Sequence, residues 1–449
     1  MMIASSSMLF YFTSHHSSIG SEIRLRPVLF SMRSLLIQSF LAAHVAYAQH
    51  VKNPSCENHP KLTTWKCTKD GGCNPQRTAI VLDSLKRPLY QVNAPNLGCG
   101  TNGSPPNTTV CPDVDTCQAN CVMESISDYS KVGVKAYNDR LYLDMLNDET
   151  LAKISPRVYL LDEHEESYEM LHLLGQEISF DVDVSKLPCG MNGAFYLSEM
   201  EEDGGRSEIN RAGPAFGTGY CDAQCYIPPF INGEANIQGS GACCNELDIW
   251  EANSRATHLA PHTCNITSLY ACQGAECGKS GVCDKSGCHF NPANVGNSNY
   301  YGLGMVVDTT RPFKVVTQFP TDSTGELQAI HRFYVQDGQI FENPSANKSS
   351  LPQVNYIDDE FCAAMGANIF KNLGGTTGMG QAMDRGMVLC MSVWWDESGG
   401  NMSWLDGPGS GPCSAAEGSP DSIRQAQPDT AVTFSKIKWG DIGSTYDGA

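Results

Sequence analysis

Short runs in which apolar and polar residues alternate recur along most of the chain. A period of two residues is typical of β-strands with one buried face, and the clearest runs are residues 178–184, 313–319 and 431–437. Segments rich in glycine, proline and asparagine, such as residues 201–205, separate the runs and predict turns. The best helical pattern is short, at residues 363–373. The sequence therefore predicts an all-β fold, a large antiparallel β-sandwich.

A different pattern, in which acids alternate with apolar residues, occurs in the segment GACCNELDIWEAN that begins at residue 241. Its leucine, isoleucine and tryptophan favour a strand over a helix. On a regular strand Glu246 and Asp248 share a face, whereas Glu251 lies on the opposite face. One extra residue in a β-bulge, at Ile249 or Trp250, returns Glu251 to the face of the other two acids.

This arrangement predicts a specific chemistry for the acids. With the bulge, four strand steps of roughly 3.3 Å place the Cα atoms of Glu246 and Glu251 about 13 Å apart. Side chains that lean inward by about 4 Å each leave the carboxyls about 5 Å apart, the separation that a retaining glycosidase requires. Three like charges on one face repel, so we expect at least one raised pKa and a protonated acid near neutral pH. The alternative is a solvated acidic strand, which the intervening apolar residues and the flanking Cys243–Cys244 pair disfavour.

The segment resembles the catalytic motif of glycoside hydrolase family seven, the fungal cellobiohydrolases and endoglucanases. The family pattern E-x-D-x-x-E fits at every acid, and APHTC at residues 260–264 resembles the family's P-H-x-C segment. The resemblance covers nearly everything from Gln49 to about Thr445. It implies a curved jelly roll of the concanavalin kind, with a long substrate cleft and disulfide-braced loops. It also implies that Glu246 is the nucleophile, Asp248 its hydrogen-bonded helper and Glu251 the general acid/base.

The resemblance further implies a set of substrate-binding residues. His262 matches a family histidine near the acid/base on the leaving-group side. Trp394 and Trp404 match tryptophans that stack on sugar rings on either side of the cleavage point, as aromatic faces suit pyranose C–H faces. The residues implied to hydrogen-bond the sugar units are Arg157, Tyr196, Asp222 and Gln224, with Tyr220 nearby. We expect no metal and no other cofactor.

All 20 cysteines lie after residue 49, which indicates an exported and oxidised domain. Zinc binding at Cys221-x-x-x-Cys225 or Cys272-x-x-x-x-Cys277 is the less favoured alternative, since export favours disulfides. The sequence alone leaves the connectivity open.

The family resemblance implies nine disulfides, two of which would brace the strand just before the first acid. These pairs are Cys67–Cys73, Cys99–Cys121, Cys111–Cys117, Cys189–Cys413, Cys221–Cys244, Cys225–Cys243, Cys264–Cys283, Cys272–Cys277 and Cys288–Cys362. Cys56 and Cys390 are left over, and Cys390 is most simply a buried free thiol.

The beginning of the chain has the features of an export signal. Residues 32–48 contain one basic residue, an apolar core and an A-x-A cleavage site, which predict a signal peptide too short to span a membrane. Residues 1–31 are interpreted as an upstream extension or gene-model artefact. Residues 49–449 are interpreted as a single catalytic domain without a linker or carbohydrate-binding module. Glycosylation after export is predicted at five sequons, Asn102, Asn107, Asn265, Asn347 and Asn401.

The net charge of the chain disfavours some classes of binding partner. A formal net charge of −19 disfavours nucleic acid and anionic membranes and is compatible with a neutral polysaccharide. We therefore expect a secreted, extracellular monomer whose substrate is a β-1,4-glucan.

Departures from the family pattern bear on the type of cleavage. Lys86 and Pro88 stand where the family usually has aromatic residues that grip the entrance end of the glucan chain. Residues 231–242 and 405–413 are short where tunnel-forming cellobiohydrolases are long. The loop at residues 264–288 keeps more cysteines than the most open endoglucanases, so a partly covered cleft is an alternative to an open one.

The sequence thus predicts a secreted retaining endo-β-1,4-glucanase that cuts internal bonds of cellulose and related β-glucans by double displacement. The nearest alternative is a cellobiohydrolase that releases cellobiose from chain ends. A second is a non-catalytic, lectin-like glycan-binding protein on the same sandwich. A third has the same catalysis but prefers mixed-linkage glucan or xylan.

Overall fold

The computed structural model describes residues 50–52, 57–397 and 402–446. The predictions on the upstream extension, the signal peptide, Cys56 and the sequon at Asn401 concern residues outside these ranges. Among the described residues, no helix is both long enough and apolar enough to cross a lipid bilayer. Four predicted sequon asparagines lie at exposed positions, Asn102, Asn107, Asn265 and Asn347.

The described chain is built mainly from β-strands. In chain order they are β1 (His50–Lys52), β2 (Lys61–Thr68), β3 (Gly72–Leu82), β4 (Leu89–Gln91), β5 (Ala94–Gly98), β6 (Cys121–Glu124), β7 (Val134–Tyr137), β8 (Arg140–Asp144), β9 (Arg157–Leu161), β10 (Met170–Leu171), β11 (Gln176–Asp183), β12 (Asn192–Ser198), β13 (Phe230–Ile231), β14 (Glu234–Ala235), β15 (Gly241–Cys243), β16 (Glu246–Ala252), β17 (Thr257–His262), β18 (Tyr270–Cys272), β19 (Tyr301–Gly302), β20 (Val307–Asp308), β21 (Phe313–Gln318), β22 (Ile330–Gln336), β23 (Gln339–Glu342), β24 (Tyr356–Ile357), β25 (Met387–Trp394) and β26 (Ala431–Asp441).

The helices are short and lie between the strands. They are α1 (Val114–Asn120), α2 (Asp359–Ala364), α3 (Asn368–Asn372), α4 (Gly375–Arg385), α5 (Ser403–Asp406) and α6 (Pro420–Ala426). Single turns of 3-10 helix lie at Ser84–Lys86, Tyr129–Val132, Pro214–Phe216 and Gly274–Cys277.

The main sheet is one hydrogen-bonded ladder that folds back on itself. Its strand order is β17-β16-β12-β25-β9-β3-β2-β26-β11-β21-β22-β23. The described pairs of this ladder are antiparallel except for β2 with β26, which is parallel. Trp250 of β16 packs edge-to-face on Phe313 of β21 at 5.8 Å between ring centroids, and Phe195 of β12 stacks on Phe180 of β11 at 4.0 Å. These contacts join two layers around a core, so the predicted β-sandwich is confirmed.

The layer of the sandwich that contains β9 and β12 is buried on both faces. In β9, Val158 and Leu160 belong to the core between the layers, whereas Tyr159 and Leu161 belong to a second apolar cluster on the other side of the sheet. The strand period of two residues explains this division. Because this second face also carries Tyr196 of β12, it is the face on which the sequence places the cleft.

The predicted strands are confirmed, but the predicted helix is wrong in its extent. Residues 363–373 are divided between α2 and α3, because Gly366 takes a left-handed φ of 81° just after α2. The longer helix α4 was missed. Its three glycines weaken the helical pattern, and it is stabilised instead by burial of Met379, Ala382 and Met383.

The nine disulfides implied by the resemblance are all present. The zinc interpretation is therefore wrong, because all four cysteines that it used are disulfide-bonded. Cys390 is a buried free thiol, as predicted. Two disulfides, Cys221–Cys244 and Cys225–Cys243, tie the loop at residues 221–225 to the residues just before β16.

Candidate active site

Strand β16 contains the predicted bulge. Its register against β17 shifts between Asp248 and Glu251, and its register against β12 shifts between Leu247 and Trp250. Ile249 is the residue that lies within both intervals. The bulge prediction is confirmed, and both neighbouring strands accommodate the extra residue.

The bulge separates the acids from the apolar residues of the same strand. Leu247, Ile249 and Trp250 all belong to the core between the layers. The three acids are 7–8% exposed. They are close enough to interact, because the charge of Asp248 raises the pKa of Glu246 and the charge of Glu251 raises the pKa of Asp248. The three carboxyls therefore form one cluster on the face opposite the core.

Glu246 begins the strand and is held by backbone from a neighbouring loop. Its Oε2 accepts a hydrogen bond of 3.0 Å from the N–H of Ala223. Burial and the charges of Asp248 and Asp222 raise the pKa of Glu246 well above its usual range, while His262 and the Ala223 N–H oppose that rise. The Ala223 N–H thus holds this carboxyl in place, while burial and the neighbouring acids destabilise its ionised form. A strongly shifted pKa is typical of catalytic groups.

His262 holds the middle acid. Its Nε2 lies 3.1 Å from Oδ2 of Asp248, and its Nδ1 donates a 2.8 Å hydrogen bond to the carbonyl of Asp284. Burial lowers the pKa of His262, but the hydrogen bond and charge of Asp248 raise it to about 10, so the ring is a cation at neutral pH. Burial and the charge of Glu251 raise the pKa of Asp248 to about 6. Burial is the larger cause of the raised pKa values of Glu246 and Asp248, ahead of the repulsion between the acids from which the sequence argument started.

We expect His262→Gln to destabilise the fold more strongly at low pH than at high pH. The folded-state pKa of about 10 exceeds the unfolded value of about 6.5, so the stabilisation by the charged ring is complete below pH 6.5 and is lost as the pH rises through 10. The loss of unfolding free energy should be on the order of 2 kcal/mol near pH 6 and smaller near pH 9. Guanidinium unfolding of both proteins at the two pH values measures it, and an equal loss at both would contradict the assignment.

Glu251 has neighbours of its own. Asn192 Nδ2 donates a 2.7 Å hydrogen bond to Glu251 Oε1, and His258 Nδ1 lies 3.3 Å from Oε2. The ring of His258 also meets the edge of Trp404, with centroids 5.3 Å apart. The family resemblance implied that His262 lies near the acid/base, whereas in the structure His258 contacts Glu251 and His262 contacts Asp248.

Sequence reasoning missed His258 and Asn192. His258 could have been found from the period of two in β17, which places His258, Ala260 and His262 on one face. Asn192 carries no comparable signal, because it reaches Glu251 from the adjacent strand β12 and only the strand order brings the two together.

Four of the predicted sugar-binding residues form one connected wall. Tyr196 Oη lies 3.1 Å from Tyr220 Oη, and Tyr220 donates a 2.8 Å hydrogen bond to Asp222. The guanidinium carbon of Arg157 lies 3.3 Å from the centroid of the Tyr220 ring. Asp222 is 2% exposed, and its Oδ1 is buried without a hydrogen-bond partner among the described residues.

Gln224 is exposed and belongs to a reciprocal contact between two loops. Its Nε2 donates a 2.8 Å hydrogen bond to the carbonyl of Lys285, and the ammonium of Lys285 donates to the carbonyl of Gln224. This contact fixes the peptide next to Ala223, whose N–H binds Glu246. Lys285 is a further residue that the sequence did not reveal.

The two predicted tryptophans differ in exposure. Trp394 ends β25, is half-buried and packs against a small cluster of Ala256, Met402 and Leu405. Trp404 is 43% exposed and lies beside His258. Trp404 therefore presents a free aromatic surface close to Glu251.

Side chains close enough together to hold a metal ion occur elsewhere in the described chain, and most of them are cysteines. The clusters contain disulfide-bonded sulfurs, in one case with Asp406. Those sulfurs are engaged in disulfide bonds, so the clusters offer no thiolate ligand.

Known proteins resemble the chain over most of its length. Residues 51–446 match the model of glycosyl hydrolase family 7. Endoglucanase 1 of Pyricularia oryzae is 55% identical over 397 residues, which are 87% of this chain and 93% of that protein. The native structure of the Humicola insolens endocellulase is 54% identical with a TM-score of 0.84, covering 87% of this chain and 98% of the other. A family 7 cellobiohydrolase from Daphnia pulex is 35% identical with a TM-score of 0.82, covering 89% and 100%. The chain therefore belongs to glycosyl hydrolase family 7.

Proposed function

We propose that the protein is a retaining endo-β-1,4-glucanase that hydrolyses internal bonds of cellulose and related β-glucans. The observation that carries this proposal is the bulged strand β16, which gathers Glu246, Asp248 and Glu251 on one face with a different set of contacts around each. Two carboxyls with separate surroundings can take the two roles that retaining hydrolysis requires.

In the first step Glu246 attacks the anomeric carbon, and the glycosidic bond breaks. Glu251 gives its proton to the departing oxygen, which leaves as a free hydroxyl, and a covalent glycosyl-enzyme remains. In the second step Glu251 takes a proton from water, whose oxygen attacks the same carbon and releases Glu246. The His262 cation holds Asp248 in place, and the negative charge of Asp248 acts on the carboxyl of Glu246.

The wall of tyrosines, arginine and aspartate supports binding of a polyhydroxylated chain. Its tyrosine hydroxyls and the Asp222 carboxyl are linked by hydrogen bonds, and the exposed surface of Trp404 suits stacking on a sugar ring. We propose that a β-1,4-glucan lies along this wall, with Trp404 on the leaving-group side beside His258 and Trp394 on the other side of the cleavage point.

Endo-type cleavage is favoured by two observations. The endoglucanase relatives are considerably more similar to this chain than the Daphnia pulex cellobiohydrolase is. The short segment after Phe230 forms only a two-residue hairpin, β13 with β14, before β15 begins. A short segment leaves less backbone to cover the cleft, so internal stretches of a chain can enter it.

We also propose that the protein is exported from the cell. Nine disulfides in the described chain require an oxidising compartment during folding, and the predicted signal peptide provides the route to it. The single catalytic domain at residues 49–449 is proposed because one family model matches residues 51–446.

The proposal is tested by following viscosity and reducing ends together on soluble carboxymethyl cellulose. We expect the viscosity to fall steeply while few reducing ends have formed, because internal cuts shorten chains most per bond broken. Steady cellobiose release with slow thinning would instead establish a cellobiohydrolase. Binding without any hydrolysis would establish the lectin-like alternative, and faster cleavage of mixed-linkage glucan or xylan would change the preferred substrate.

A further inference from the structure

Arg332 is a cation buried in the core between the two layers of the sandwich. It lies on β22 and is 2% exposed. Burial lowers the pKa of its guanidinium, and neighbouring tyrosines, Tyr334 first among them, oppose that effect. Among the described residues it makes no ion pair with a carboxylate. A buried cation without an acid partner costs folding free energy, which is typical of groups with a role beyond packing.

The guanidinium reaches across the core to the bulge of β16. Its Nη2 donates a hydrogen bond to the carbonyl of Ile249, the residue that lies within both register shifts. The guanidinium carbon lies 5.6 Å from the centroid of the Trp250 ring. Its Nε donates a 3.2 Å hydrogen bond to Oγ1 of Thr317, which is the direct partner of Arg332 in the ladder of β21 and β22. Arg332 is thus fixed on one layer and binds the bulge of the other.

The bulge turns backbone groups of β16 away from the regular ladder. Between Asp248 and Glu251, two residues of β16 lie opposite one residue of β17. Ile249 is fully buried, so its carbonyl has no access to water and needs a donor within the protein. In a regular strand this carbonyl would point along the sheet toward a neighbouring strand. The donor that Arg332 supplies from the opposite layer therefore favours the bulged conformation.

The bulge affects the three acids unequally. Glu246 and Asp248 come before it, and each has a hydrogen-bond partner of its own outside the strand. Glu251 comes after it and shares a face with the other two acids only because of the extra residue. The position of Glu251 relative to Glu246 therefore depends on the bulge.

We propose that Arg332 is a positioning residue for the acid/base, because it holds the bulge at Ile249 from the opposite layer and so sets the distance between Glu251 and Glu246. This inference rests on the proposed function and adds to it a residue from the other sheet layer. Retaining hydrolysis requires a separation of about 5 Å between the two carboxyls. A less well-defined bulge should therefore impair the step in which Glu251 gives up its proton.

The test compares two substrates that differ in their need for that proton. Cleavage of cellotetraose requires protonation of a sugar oxygen, whereas dinitrophenyl β-cellobioside releases an acidic phenol without it. For both substrates kcat/KM reports the first step, the attack by Glu246. The ratio of the two values therefore cancels any loss of folded protein, and the full chain is used throughout.

We expect Arg332→Met to lower kcat/KM on cellotetraose by about tenfold relative to kcat/KM on dinitrophenyl cellobioside. Thr317→Val removes the hydroxyl that holds Nε of Arg332, and it should lower the ratio by about twofold to threefold. Arg87→Met is the matched control, because it removes a guanidinium that is also buried, at 5% exposed, but is paired with Glu57. The control should lower the melting temperature and leave the ratio unchanged.

An unchanged ratio in Arg332→Met would overturn the positioning role, whatever happens to the melting temperature. If that variant does not fold, the ratio of Thr317→Val decides in the same way. An equal fall of the ratio in Arg87→Met would also overturn the role, because any damage to the core would then have the same effect. In each of these outcomes the parent protein still cleaves both substrates, and the proposed function stands. Cleavage of neither substrate by the parent protein would instead overturn the proposed function, and the positioning role with it.

Discussion

Replacing Glu246 by glutamine is expected to lower kcat on soluble carboxymethyl cellulose by at least about 10⁴-fold. The amide has nearly the shape of the carboxyl and still offers an oxygen to the N–H of Ala223. It lacks the negative charge that forms the glycosyl-enzyme, so the loss falls on the chemical step. Parallel rates of thinning and of reducing-end formation measure it.

The melting temperature of the same variant separates lost chemistry from lost folding. Glu246 is 7% exposed, and the like charges around it raise its pKa, so removing its charge should leave the melting temperature unchanged or raise it. Glu149→Gln, a change at an exposed glutamate between β8 and β9, is the control and should keep full activity. If Glu246→Gln retained the parent rate, the nucleophile assignment would be wrong.

Glu251→Gln is expected to slow hydrolysis of cellulose by about 10²- to 10⁴-fold, the contribution typical of a general acid/base. The loss should depend on the leaving group. An aryl cellobioside with a very acidic phenol needs no protonation, so its first step should remain fast while the glycosyl-enzyme accumulates. A burst of released phenol followed by slow turnover measures this behaviour.

Azide provides a second readout for Glu251→Gln. As an anion it attacks the glycosyl-enzyme without a general base, so it should accelerate turnover of the activated substrate and yield a β-glycosyl azide. Glu149→Gln again serves as the control, with no burst and no azide effect. An equal loss on activated and unactivated substrates, without azide rescue, would show that Glu251 is not the acid/base.

The arrangement of the three acids on β16 could be predicted from the local sequence. The apolar residues of β16 must enter the core, and a strand places alternate residues on opposite faces, so the spacing of the acids already requires a bulge. The structure places that bulge where both neighbouring strands shift register. The disulfide pairs came from the family resemblance, because spacing alone allows many connectivities.

The surroundings of each acid depended on contacts between distant parts of the chain. Asn192 and His258 reach Glu251 from the two strands beside β16, and Lys285 stabilises the Ala223 peptide from a disulfide-bonded loop. The order of strands in the sheet is set by packing of the whole sandwich and leaves no local pattern at these residues.

By itself, the sequence determined the β-rich fold, the face on which the three acids lie and the bulge that unites them, because strand period and burial act over a few neighbouring residues. Only the tertiary structure decided which group contacts each acid. It places His262 on Asp248, His258 on Glu251 and the Ala223 N–H on Glu246. These contacts form only in the folded sheet, where strands and loops that are distant along the chain lie side by side.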